Sequence, residues 1–156
     1  MPQITLDSTL PSPQAVVAPR LLTVLCGYAE REDLALTVDL GIAGAAMSVP
    51  VRLEFPEGRT ATSIPLVLAA REQTDWFPAF HGEARSEELG RLESRLRLVG
   101  DYAVPLGSLG TIVNRRVFGG AAQRSLRAFL ERLRADVLDE IRRSELAIRH
   151  REGRHT

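Results

Sequence analysis

General acid–base and nucleophilic chemistry require convergent polar groups with tuned ionisation, and this sequence supplies few. Its three histidines are His81, His150 and His155. The last two fall in an arginine-rich segment, residues 150–156, that reads as a disordered tail. His81 takes the opposite face from Phe80 in a β-segment and reads as a solvated histidine rather than a general base. No Cys/His spacing suits zinc, no glycine loop suits a phosphate, and no serine stands in a nucleophile-elbow context. No metal, cofactor or catalytic residue is therefore assigned. Cys26 sits among Leu21, Leu22, Val24 and Leu25 and reads as a buried structural thiol. Asp101-Tyr102 puts a carboxylate beside a phenol at a strand end, an arrangement that is usually structural. Trp76, Phe77 and Phe80 form an aromatic cluster with two open readings, core packing or the rim of a cavity.

The elements that position these residues follow from periodicity. Gln3 to Leu6 alternates and predicts a short first strand. Ser12 suits a helix cap with Pro13 at the first helical position, and Gln14 to about Cys26 continues it. Proline inside a helix breaks or kinks it, so Pro19 predicts two short helices, closed by Gly27 as C-cap. From Leu34 the period becomes two: Leu34, Leu36, Val38, Leu40 and Ile42, then Val49, Val51, Leu53 and Phe55, then a Pro56-Glu57-Gly58 turn. Strands follow over about 60–71 and 77–85, with Ser86 to Gly90 as a turn. Leu92, Leu96, Leu98 and Tyr102 share one parity of the last strand. Pro50 and Pro65 restrict their strands to edge or bulge roles at those points.

After Tyr102 comes a Pro/Gly turn (Val104 to Gly110) and then a long helix. Its apolar stripe is Leu126, Leu130, Leu133, Val137 and Ile141. Carried backwards, the stripe meets Ala122, Gly119, Arg115 and Ile112. Gly119-Gly120 leaves two readings open. One is a kink or close packing; the other is a space under the helix into which Arg115 points. An inward arginine needs a partner, such as Asp101 or a ligand carboxylate, because a lone buried charge is very costly. One-sided strands joined by short turns, with a matching apolar helix, describe an α+β domain with an antiparallel meander.

At 156 residues the chain is long enough for one domain with a real core, over 1–149. Twenty acidic and twenty basic residues cancel, and every basic one is arginine. The charges are interleaved, which argues against nucleic acid as the main partner. Absence of a signal-peptide pattern at Met1 to Asp7, of any long apolar run and of a second cysteine points to a cytoplasmic chain with no integral membrane segment.

Four stretches carry a resemblance: Phe77-Pro78, Gly100-Asp101-Tyr102, Pro105-Leu106-Gly107-Ser108-Leu109-Gly110 and Arg127-Ala128-Phe129-Leu130. Together with the order of elements, they make the chain resemble the helix-grip fold of the START-like (SRPBCC) superfamily, bacterial members of actinobacterial type above all. That superfamily includes polyketide cyclases, lipid-transfer domains and plant pathogenesis-related proteins. The match spans about Ile64 to Leu133, and before Pro50 only the element order agrees. Asn114 stands where relatives often carry an acid, and Gly119-Gly120 where they carry bulkier residues.

The resemblance implies a sheet of about six or seven strands curled around the C-terminal helix, with two short helices after strand 1. It also implies a small hydrophobic ligand (lipid, polyketide or isoprenoid-like) between sheet and helix. Parity and helical phase nominate Leu66, Leu68, Phe80, Leu96, Leu98 and Tyr102, with Arg115, Gly119 and Ala122 from the helix, as its lining. Three functions stay open: a carrier or sensor of that ligand, a cyclase or dehydratase working mainly by holding a chain folded, or an interaction module using the long helix. The assembly expected is a monomer or homodimer.

Overall fold

The structure is a computed structural model describing residues 3–39, 46–71, 79–103 and 112–154, with side chains at 38, 39, 46, 47, 103, 112–119, 121 and 122 left aside. Six strands form one antiparallel sheet: β1 (Gln3–Leu10), β2 (Ala35–Asp39), β3 (Ala46–Glu54), β4 (Ser63–Ala70), β5 (Ala79–Gly90) and β6 (Glu93–Ala103). Their spatial order is β1-β6-β5-β4-β3-β2. The meander β2 to β6 is thus completed by the first strand, which returns to pair with the last. Two helices complete the fold: α1 (Gln14–Glu30) and the 41-residue α2 (Ile112–Glu152).

Alternation decides which face is buried. Val49, Val51 and Leu53 of β3, Ile64, Leu66 and Leu68 of β4, and Leu96 and Leu98 of β6 are all buried. The stripe Leu126, Leu130, Leu133, Val137 and Ile141 of α2 is buried against them, joined by Phe129. The helix packs on both β1 and β2, the two edges of the sheet. One helix touching both edges means that the sheet curls around it. Full burial of each such leucine or valine stabilises the fold by roughly 1.5–3 kcal/mol.

The edges of this curled sheet are closed by arginines. Arg127 Nη1 donates to Asp7 O at 2.9 Å and Arg134 Nε donates to Thr9 O at 2.7 Å, both on β1. Arg132 Nη1 donates to Ala35 O of β2 at 3.5 Å. The helix therefore supplies the hydrogen bonds that a neighbouring strand would otherwise make.

Several local expectations are corrected. Pro19 does not divide the helix, since α1 runs unbroken through it. Val17 and Leu21 on either side are both buried, and their packing outweighs the missing N–H. Pro13, not Ser12, is the N-cap, and its carbonyl accepts from Val16 and Val17 N–H at 3.0 Å each. Ser12 is buried, and its carbonyl accepts from the Ser94 hydroxyl. Gly27 lies inside α1, which is closed by Arg31 N–H donating to Tyr28 O.

β1 extends to Leu10 and β5 through Ser86 to Gly90, so the hairpin turn is Arg91-Leu92. Leu92 is 74% exposed there and does not share the burial of Leu96 and Leu98. The helix continues through Gly119-Gly120 without a break, and at its other end it reaches Glu152, so His150 lies in its last turn.

The prolines behave as their missing donors require. Pro65 pairs with β5, beyond the point where the β3 ladder stops at Val67, and Pro50 pairs with β2 just before the β4 ladder starts at Val51. Gly58 turns the β3–β4 connection with φ +110°, a conformation that favours glycine.

Candidate functional site

The strand residues nominated from parity all fall on the inner face, in four rows. Leu68 pairs with Phe80, and Phe80 with Tyr102, so these three are aligned across β4, β5 and β6. The next row is Leu66, Gly82, Gly100 and Ile4; the third is Ile64, Ala84, Leu98 and Leu6. Leu96 belongs to a fourth row with Ser86. Phe80 and Ser86 are six residues apart along β5, about 20 Å at ~3.4 Å per residue. The structure thus brings Leu66, Leu68, Phe80 and Tyr102 together and sets Leu96 at the far end, close to α1.

All of these are buried except Tyr102, which is half-buried. The Phe80 ring folds along its own strand over Gly82: a Cβ placed on Gly82 would lie 2.7 Å from Phe80 Cζ. Gly119 and Ala122 are on the helix backbone of α2, as is Arg115, but their orientation lies outside what is described, as do Trp76, Phe77 and residues 104–111.

Electrostatically this interior is bare. The buried polar residues among those described are Ser12, Ser86, Ser94 and Ser125, all neutral, together with the Tyr28 phenol. Tyr28 lies between the helices. Its hydroxyl donates to Asp136, its ring stands 6.1 Å from that of Phe129, and the Arg132 guanidinium lies 5.5 Å above it. Burial and the Asp136 carboxylate push its pKa above the ordinary value of 10. Nothing in the sequence pairs Tyr28 with Asp136, 108 positions away.

Among the described strand residues, charged side chains lie mainly on the other face. Arg97 joins Asp7 at 2.6 Å and Glu87 at 3.3 Å, and His81 is exposed. The Arg97 hydrogen bond holds the Asp7 carboxyl below its usual value, and the Ser63 hydroxyl, followed by Arg85, does the same for Glu83. Among the described residues no group of three His, Cys, Asp or Glu side chains converges as metal ligands, and no helix is long and apolar enough to cross a membrane.

Solved structures share this fold. The Zhui aromatase/cyclase from Streptomyces sp. R1128 is 20% identical, with 90% of this chain and 95% of that one covered at a TM-score of 0.57. A protein from Thermus thermophilus is 17% identical over 88% and 98% (TM-score 0.55), and a conserved protein from Geobacillus kaustophilus is 13% identical over 88% and 96% (TM-score 0.57). The chain has a helix-grip fold. This architecture agrees with the fold expected from the sequence, except that one helix, α1, stands where two short ones were expected. No protein-family model matches the sequence, and no curated protein matches it significantly.

Proposed function

We propose that this protein binds a small apolar molecule between the inner face of the sheet and the first turns of α2, and acts as its carrier or sensor. The observation that carries the reading is the neutrality of the inner face: apolar side chains and four buried serines among the described residues, with ionised groups on the opposite side. A site of this kind selects for apolar surface and offers few groups for proton transfer. Leu66, Leu68 and Phe80 would form the wall and Tyr102 the rim, with Arg115, Gly119 and Ala122 on the facing helix. Leu96 and Leu98 lie further along the same face and would close its depth.

A second reading is favoured by one residue. Tyr102 is half-buried at the end of the row beside Phe80, where a phenol could assist a cyclase or dehydratase reaction on a polyketide-like chain. The fold shared with an aromatase/cyclase is compatible with it.

Native mass spectrometry of the purified protein, followed by organic extraction, tests the site. A stoichiometric apolar adduct, lost on Gly119→Leu, is expected. A clean unliganded mass, with no thermal shift against a panel of lipids and aromatic polyketides, would overturn it. Tyr102→Phe separates the two readings: the carrier retains its ligand, whereas the enzyme binds substrate and loses turnover.

A further inference from the structure

A second cavity, at the other end of the sheet, has features that the apolar site does not use. A groove of about 610 Å³ runs between α1 and the β3–β4 connection, with Ala15, Ala18 and Leu22 on one side, Arg59 and Thr62 on the other, and buried Ile64 beneath. That volume lies within the ~300–1,000 Å³ typical of small-molecule sites. No acidic side chain lines it. Arg59 is exposed and forms no ion pair or hydrogen bond among the described residues.

Ser86 adds an independent observation. It is 2% exposed, and its hydroxyl is the single buried side-chain polar atom without a partner among the described residues. Its backbone is held by two groove residues: Ser86 N–H donates to Thr62 O at 3.0 Å, and Gln14 Nε2 donates to Ser86 O at 2.7 Å. A buried hydroxyl left without a partner forfeits its hydration. Gln14 lines the groove and is committed to Ser86, so the chain has fixed this corner without satisfying the hydroxyl.

We propose that this groove is a second binding site, for a small amphiphilic carboxylate. Its apolar part lies on Ala15, Ala18, Leu22 and Ile64. The carboxylate engages Arg59, the cation on the groove wall. A cation with no competing acid along the walls favours an anion over a neutral lipid. Because the groove lies at the α1 end, away from the Phe80–Tyr102 row, this site stands independently of the apolar one.

The test is titration of the ¹⁵N-labelled protein with sodium octanoate and, separately, with 1-octanol. Octanoate is expected to shift the amide signals of Ala15, Leu22, Thr62 and Ser86. Arg59→Gln is expected to weaken it about fivefold, the upper end for an exposed ion pair, without changing octanol binding. Octanoate shifts confined to residues around Phe80 and Tyr102, or equal binding of octanoate to parent and Arg59→Gln, would each overturn the proposal.

Discussion

Gly82 and Gly100 face each other across β5 and β6 so closely that neither can carry a side chain. A Cβ on Gly82 would stand 2.7 Å from Gly100 Cα, and one on Gly100 would stand 2.6 Å from Gly82 Cα, with the carbonyls of Val99 and His81 nearer still. These contacts are with backbone, which cannot swing aside. Gly82→Ala is therefore expected to cost about 2–4 kcal/mol, as overpacking against a fixed neighbour does. Gly90→Ala, where a Cβ meets nothing within 4 Å, is the control and is expected to be near neutral. Urea midpoints of the two variants decide the matter.

Arg127 and Arg134 cover consecutive outward carbonyls of β1. Bare edge carbonyls recruit strands from other molecules. The Arg127→Ala, Arg134→Ala double variant is expected to lose about 1 kcal/mol per hydrogen bond and to associate with rising concentration. Sedimentation over a hundredfold dilution range reads this out; a variant as monodisperse as its parent would show that the arginines do not guard the edge.

Tyr28 ties stability to alkaline pH. Its pKa is raised in the folded state, so the folded chain keeps the proton while the unfolded chain loses it. The contribution is complete below the ordinary tyrosine value near 10 and is lost as pH climbs through the raised one. Stability is expected to fall above pH ~10, less steeply in Tyr28→Phe, which also loses about 1 kcal/mol at neutral pH with its hydrogen bond to Asp136. Unfolding curves from pH 8 to 11 supply the comparison.

Asp7 works in the opposite direction. Its carboxyl is held below the usual 3.8 by Arg97, so its contribution is present above that value and fades as pH falls through the lowered one. Asp7 is partly exposed, so the effect is small, a few tenths of a kcal/mol. Asp7→Asn is expected to narrow the stability difference between pH 6 and pH 2.5, and an unchanged difference would remove Asp7 from the acid limb.

Much of this architecture was legible because it rests on period. The stripe from Leu126 to Ile141 and the alternation through Leu66, Leu68, Leu96 and Leu98 are properties of local sequence, and burial followed them. Pro19 misled because propensity registers the missing N–H but not the burial of Val17 and Leu21, which is decided by distant partners. Ser86 reads as a turn residue on composition, although its strand is held by a ladder to β6 and by Gln14 of α1. The grouping of the candidate site behaved likewise. Parity put six residues on one face, but only strand pairing reveals that Leu68 and Phe80 align with Tyr102 while Leu96 lies beside Ser86. The edge-capping role of the α2 arginines is not legible in the same way, because carbonyls on an edge strand leave no trace in sequence.

The order of elements along the chain also bears on how the protein is made. β1 is translated before the other described strands, yet its strand partner among the described residues is β6, whose residues follow some ninety positions later. The helix that covers the inner face and caps both edges is translated after every strand. A nascent chain that has reached Ala103 thus holds every described strand together with α1, which packs on β3, β5 and β6, while the part of the apolar face that α2 covers stays open until that helix follows.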